Sequence, residues 1–199
     1  MLYQIHRYPA ELIDVVWLSG GRRVVIRPVL PQDQELTTAF FADLPAPARY
    51  DRFMSPMRHL PPDLVKRFTS IDYADHLALV AEVFEDGRET VVAEARYVRG
   101  ADPSVAEFAV SVADKWQGEG LASRLLGKLL CRAGAAGVRC MVGETLATND
   151  KMLHLARKAG FTVTRSPDVR GVMLLEKTVE RVPSGAVHPA STDELAAAW

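Results

Sequence analysis

The segment Gln117-Gly118-Glu119-Gly120-Leu121-Ala122 holds the residue types and spacing best suited to chemistry. It directly precedes Leu121–Ala133, where apolar residues at 121, 122, 125, 126, 129, 130 and 133 line one helical face. Small residues at a helix start let backbone N–H groups crowd toward a ligand. Four amides there lack intrahelical partners, and the helix dipole favours negative charge. A pyrophosphate suits such a turn. An ATP P-loop requires Gly-x-x-x-x-Gly-Lys-Ser/Thr, and no Lys-Ser or Lys-Thr follows here. The dinucleotide fingerprint Gly-x-Gly-x-x-Gly meets Ser123 at its last position, and the turn follows several strands instead of opening a βαβ unit. The other alternative is an ordinary strand-to-helix turn using glycine for positive φ.

A second candidate is Glu107, a carboxylate in the strand-like run AEFAVSV. Alternation puts Ala106, Phe108, Val110 and Val112 on one face and Glu107, Ala109 and Ser111 on the other. On an interior strand flanked by helices, Glu107 is expected to be partly desolvated, which raises a carboxyl pKa. The competing expectation is an ion pair with an arginine such as Arg96 on the neighbouring strand. Asn149, in Thr148-Asn149-Asp150, has the residue type of a helix N-cap.

The elements that must position these residues follow from pattern. Asp14–Leu18 and Arg22–Val29 predict a hairpin around Ser19-Gly20-Gly21. Pro31 opens a helix to about Asp43, a Pro-broken stretch of short helical turns follows, and Asp63–Ser70 reads as another short helix. His76–Phe84 and Thr90–Val98 read as strands joined at Glu85-Asp86-Gly87, and Val105–Val112 as a third. After the long helix, which Gly134 can cap, come a strand at Arg139–Leu146, a helix at Asn149–Ala159 capped by Gly160, and strands Phe161–Arg165 and Val172–Lys177. The order predicts an α/β fold: a mixed central sheet flanked by helices, a helical insert after the first strands, and parallel pairing across the long helix. Residues 1–178 read as one domain and 179–199 as a tail, in which Ser191-Thr192-Asp193-Glu194 offers a cap for a last turn ending at Trp199.

The charge is nearly balanced, 24 basic against 25 acidic residues, so nothing global favours nucleic acid or an anionic membrane. Cys131 and Cys140 are too few for a disulfide framework and lack zinc-ligand spacing, so no metal is expected. The amino terminus has no apolar signal core, and no run approaches the ~18 apolar residues of a membrane span. A soluble cytoplasmic protein is expected.

Gln117, Gly120 and Ala122 match the Gln/Arg-x-x-Gly-x-Gly/Ala motif, and with the preceding strand and Asn149…Gly160-Phe161 the chain resembles the GNAT superfamily of N-acetyltransferases over roughly residues 22–178. Stretches such as RRVVIRP with PQD, ARYDRF and AEFAV are similar to the catalytic domain of bacterial Pat-type protein lysine acetyltransferases. The resemblance implies that acetyl-CoA is the cosubstrate. It places the pyrophosphate on Gln117, Gly118, Glu119, Gly120, Leu121, Ala122 and Ser123, and the pantetheine arm along Val110, Ser111 and Val112. It also implies that Asn149, eleven residues before Gly160, bonds that arm.

An amine must lose a proton to attack a thioester, and a lysine is only about 0.04% neutral at pH 7. A general base is therefore useful, and the resemblance points to Glu107. The tyrosine that many members carry seven residues after the asparagine is absent, Ala156 standing there, and His154 is expected to point elsewhere on the helix. A thiol with pKa ~8.5 can leave as thiolate unaided.

The acceptor implied is a lysine on a metabolic enzyme such as an acyl-CoA synthetase. Arg49, Arg52, Arg58, Lys66 and Arg67 offer a basic face for an acidic protein surface, or simply a solvated one. A small-molecule amine and a non-catalytic acyl-CoA sensor are the alternative readings.

Overall fold

A computed structural model of the chain describes residues 8–180. The proposed tail cap at 191–194 lies outside them. The elements are β1 (Asp14–Trp17), β2 (Arg23–Pro28), α1 (Gln34–Asp43), α2 (Ala46–Phe53), α3 (Pro62–Thr69), β3 (His76–Glu85), β4 (Arg88–Arg99), β5 (Val105–Val112), α4 (Leu121–Ala135), β6 (Cys140–Leu146), α5 (Asp150–Lys158), β7 (Thr162–Arg165) and β8 (Val172–Thr178). The Pro-broken stretch thus holds a two-turn helix, α2, which ends at Met54 in the left-handed conformation (φ 48°). No helix among the described residues is long and apolar enough to cross a membrane.

One eight-stranded mixed sheet runs β1-β2-β3-β4-β5-β6-β8-β7. All pairings are antiparallel except β5–β6, the pair that a crossover through α4 must make parallel. Two apolar layers cover the two faces. Leu121, Leu125, Leu126, Leu129 and Ala133 of α4 pack against Val24, Ile26, Leu77, Leu79, Tyr97 and Phe108. On the opposite face, Phe40 and Phe41 of α1 and Val65 of α3 cover Ala78, Val80 and Val91. The α/β architecture with helices on both faces is the one the element order predicts.

The end of α4 departs from expectation. Gly134 lies inside the helix, and the chain turns at Gly137 (φ 89°), with Val138 N–H donating to Ala133 O at 2.9 Å and Gly137 N–H to Gly134 O at 3.1 Å. This pair of bonds is a Schellman closure. Gly134 is small for another reason: a Cβ there would lie 2.3 Å from the carbonyl oxygen of Glu180. The chain leaving β8 passes over α4 at this point, with Val179 buried and its N–H bonded to Arg139 O at 2.8 Å.

Strand β1 is tied to α4 by Asp14 and Lys128, 2.8 Å apart. The hydrogen bond from Lys128 holds the Asp14 carboxyl below its ordinary value. A carboxyl whose pKa falls on folding adds stability that is complete above its unfolded value, about 3.9, and is lost as pH drops through the folded one. Asp14→Asn is therefore expected to narrow the wild-type lead in denaturation midpoint as pH falls from about 5 to about 2. A wild-type lead that stays constant over that range would refute the coupling.

Candidate active site

Strands β5 and β6 pair over only three positions, Val105↔Cys140, Ala106↔Met141 and Glu107↔Val142, and then part. A ring holds them apart. Phe108, turned toward the α4 face, lies against Gly143 of β6 so closely that a Cβ on Gly143 would sit 2.8 Å from the ring. Phe161, delivered by the turn after α5, backs Phe108 with ring centroids 4.8 Å apart. The opening is a cleft of about 1330 Å³ that runs from α4 and α5 on one face to α2 on the other.

Antiparallel pairing decides which main-chain groups of β5 face this cleft. Ala113 N–H donates to Val92 O at 2.9 Å, so residues 109, 111 and 113 spend their main-chain groups on β4. Phe108, Val110 and Val112 turn theirs toward the opening. Of the three positions expected to offer backbone to a ligand, Val110 keeps both groups and Val112 its N–H, the Val112 oxygen accepting from Gln117 Nε2 at 3.0 Å. Ser111 is corrected: its backbone belongs to β4, and only its side chain is placed toward the cleft.

At the cleft's α4 end, Gly118 (φ 78°) and Gly120 (φ 79°) hold left-handed conformations that any Cβ would strain. A Cβ on either would meet nothing within 4 Å, so the space above them is open. The first intrahelical bond of the turn is Arg124 N–H to Gly120 O at 3.0 Å, and no side chain caps the helix. The amides of Leu121, Ala122 and Ser123 are thus left for a ligand at the positive end of a fifteen-residue helix.

Side chains fix this turn from outside. Ser19 Oγ donates to Glu119 Oε2 at 2.6 Å, Arg22 pairs with the other oxygen, and the Arg22 guanidinium stacks 4.5 Å from the Trp116 ring. The Ser19 bond first, and then Arg22, hold the Glu119 carboxyl below its usual value, so the link stays ionised near neutrality. Gln117 bonds Asp114 Oδ1 at 2.9 Å and receives Lys151 Nζ at 2.5 Å.

Residues 110–112, 117–123 and Asn149 all line this one cleft. Asn149 Oδ1 accepts from Met152 N–H at 3.1 Å, so it caps α5 and its amide nitrogen remains for a ligand. Ala156 is fully buried and leaves no acid at that place. His154 points elsewhere on the helix than Ala156, as expected, and lines the cleft wall with Lys151 and Leu155.

Glu107 overturns one expectation. It marks the last paired position before the strands part, but it is exposed, not partly desolvated. Nor does it pair with Arg96, which faces Ala109 in register and bonds Glu94 instead. The carboxylate makes no hydrogen bond or ion pair among the described residues, and its charge acts on Arg52 of α2.

Sequence reasoning missed the Phe108–Gly143 wedge and the charged cluster of Glu94, Arg96 and Arg52. A signal for Glu94 existed, because Ala93-Glu94-Ala95 repeats the context that singled out Glu107. A cluster of three or more metal-ligating side chains is not found among the described residues.

The wedge makes a prediction. Gly143→Ala forces the Phe108 ring to move, at a cost of about 1–3 kcal/mol in stability, and weakens coenzyme A binding. Phe108→Leu added to Gly143→Ala is expected to recover part of both, read by denaturation and by titration calorimetry. Unchanged coenzyme A affinity in Gly143→Ala would show that the wedge does not shape the cleft.

The sequence matches the model of the acetyltransferase (GNAT) family over residues 39–161. An acetyltransferase of Pseudomonas aeruginosa is 35% identical over 151 residues, 76% of this chain and 81% of that protein. The acetyltransferase Pat of Mycolicibacterium smegmatis is 32% identical over 181 residues, 90% of this chain and 53% of that protein, so the chain spans about half its length. The GNAT domain of S. lividans Pat superposes with a TM-score of 0.77 at 32% identity, covering 86% of this chain and 99% of that domain. A family match over more than half the chain, seated on the parted strands and the uncapped helix, establishes that the chain belongs to the GNAT family of acetyltransferases.

Proposed function

We propose that the chain transfers the acetyl group of acetyl-CoA to an amine, a protein lysine in the first instance, with Glu107 as the base. One observation carries the reading. The gap between β5 and β6 leads from bare amides at 121–123 along residues 108–112 of β5, and Glu107, a carboxylate with no hydrogen bond among the described residues, holds the last paired position before the strands part. The residues fit the coenzyme: uncapped amides with open space above Gly118 and Gly120 suit a pyrophosphate. The cleft-facing main chain of Val110 suits the amide-bearing pantetheine arm. The thioester carries an acetyl group to be attacked.

From this point the protein's tasks are few. Glu107 accepts the amine's proton, directly or through one water, as its exposure allows. The N–H of Val110 can donate to the carbonyl oxygen as charge gathers there. With Ala156 buried, no side chain at that place protonates the departing sulfur, which leaves as thiolate. Kinship with Pat proteins, and the basic residues of α2 and α3, support a protein acceptor.

Glu107→Gln is expected to lower kcat by about a hundredfold or more while coenzyme A affinity, measured by calorimetry, stays within about twofold. Turnover close to wild type from about pH 6 to about pH 9 would remove Glu107 from the role. If no free thiol appears with any amine or lysine protein while acetyl-CoA still binds, the chain is a sensor of acyl-CoA and not a transferase.

A further inference from the structure

The face of the sheet opposite α4 carries a charged cluster that the transfer chemistry does not use. Glu94 is 2% exposed; its Oε1 pairs with Arg96 Nε, and its Oε2 has no hydrogen-bond partner. Arg96 is fully engaged. It stacks on the Phe68 ring at 3.6 Å and lies 3.1 Å from His76 Nε2. Burial first, and then Arg96, push His76 down to about 4, so it is neutral and adds no charge.

Arg52 differs from Arg96. It lines the cleft from α2 and stacks at 5.0 Å and 5.6 Å on Phe53 and Phe68. None of its N–H groups has a hydrogen bond, it forms no ion pair among the described residues, and its Nε is shut off from water. Its charge feels Glu94 and Glu107, neither within ion-pair distance. Burial works against the charged guanidinium here, and Glu94 works for it. With only Nε closed off and no nitrogen hydrogen-bonded, the guanidinium keeps its terminal N–H donors for a group that enters the cleft.

What would satisfy it follows from its shape and position. A guanidinium fork matches a carboxylate through two parallel hydrogen bonds. The coenzyme's pyrophosphate is accounted for across the cleft at 121–123. Arg52 stands on the α2 face of the cleft, within electrostatic reach of Glu107, on the side left for an acceptor amine.

We propose that Arg52 recognises a carboxylate carried by the amine substrate, placed a short reach from the amine that attacks. This rests on the acyl-transfer reading above. The acceptor is then an amine with a nearby carboxylate, either the α-carboxylate of a free amino acid or an acidic side chain flanking a lysine. Glu107, where the strands part, meets the amine and Arg52, on the cleft wall, the carboxylate, so the pair fixes the direction in which the acceptor enters.

The test compares matched acceptors: a lysine peptide flanked by glutamates against the same peptide with glutamines, and free lysine against lysinamide. Wild-type enzyme is expected to favour the carboxylate member of at least one pair by roughly tenfold to a hundredfold in kcat/KM. The pair that responds identifies the source of the carboxylate. In Arg52→Gln that preference falls to within about twofold, through KM, while coenzyme A affinity is retained and so reports an intact fold. Arg52→Lys keeps the charge without the fork and recovers only part of the preference.

Binding of the Nε-acetylated forms to the enzyme–coenzyme A complex, measured by calorimetry, reads the same discrimination without turnover. Arg52-dependent binding with no thiol release would sink the transfer reading and leave this one standing. Turnover whose discrimination survives Arg52→Gln, the absence of any preference in wild type, or no binding of either acetylated form would overturn it. So would an effect of Arg52→Gln confined to the rate with succinyl-CoA over acetyl-CoA, which would place the carboxylate on the acyl group.

Discussion

Strands β5 and β6 are the one parallel pair in the sheet, and they stay bonded for only three residues. Everything the molecule can do depends on their parting. A continuous ladder would consume the main-chain groups of Phe108, Val110 and Val112 and close the passage between the two faces. The Phe108 ring, seated where Gly143 has no side chain and braced by Phe161, keeps the strands apart without leaving a void. Unbonded strand backbone inside a protein is costly unless a ligand or water takes it up, so this edge is stored binding capacity for an amide-bearing chain.

The long helix supplies the second half of the same device. Its first turn has no side-chain cap, although caps typically add about 1 kcal/mol, and the left-handed glycines before it hold the loop clear of the exposed amides. Rigidity comes from residues far away in sequence. Ser19 and Arg22 grip Glu119 from the first hairpin, and Lys151 of α5 grips Gln117. The loop is held by its side chains, so that the amides of Leu121, Ala122 and Ser123 stay free.

Opposite this apparatus, α2 and α3 shape a face of different character. There Glu94, Arg96 and His76 are locked into one another and into Phe68, whereas Arg52 and Glu107 keep unspent charge. The division is physical. Groups deep between the sheet and α3 must satisfy each other, because water cannot reach them; groups at the rim of the cleft need not. A side built from backbone amides and a side built from charged side chains meet at the gap between two strands.

Much of this was legible in the chain itself. The 3.6-residue period from Leu121 to Ala133, the glycines before it, the turn signals at Ser19-Gly20-Gly21 and Glu85-Asp86-Gly87 and the alternation around Phe108 are local patterns. Local patterns determine which elements form and which faces they bury, so the mixed sheet, the parallel crossover and the glycine turn before the long helix could be read directly. The exposure of Glu107, the helical place of Gly134 and the backbone of Ser111 could not. Each depends on what another part of the chain brings alongside: the extent of β6 pairing, the path of Glu180 and the register with β4. Burial and pairing are properties of neighbours distant in sequence, and only the tertiary structure chooses those neighbours.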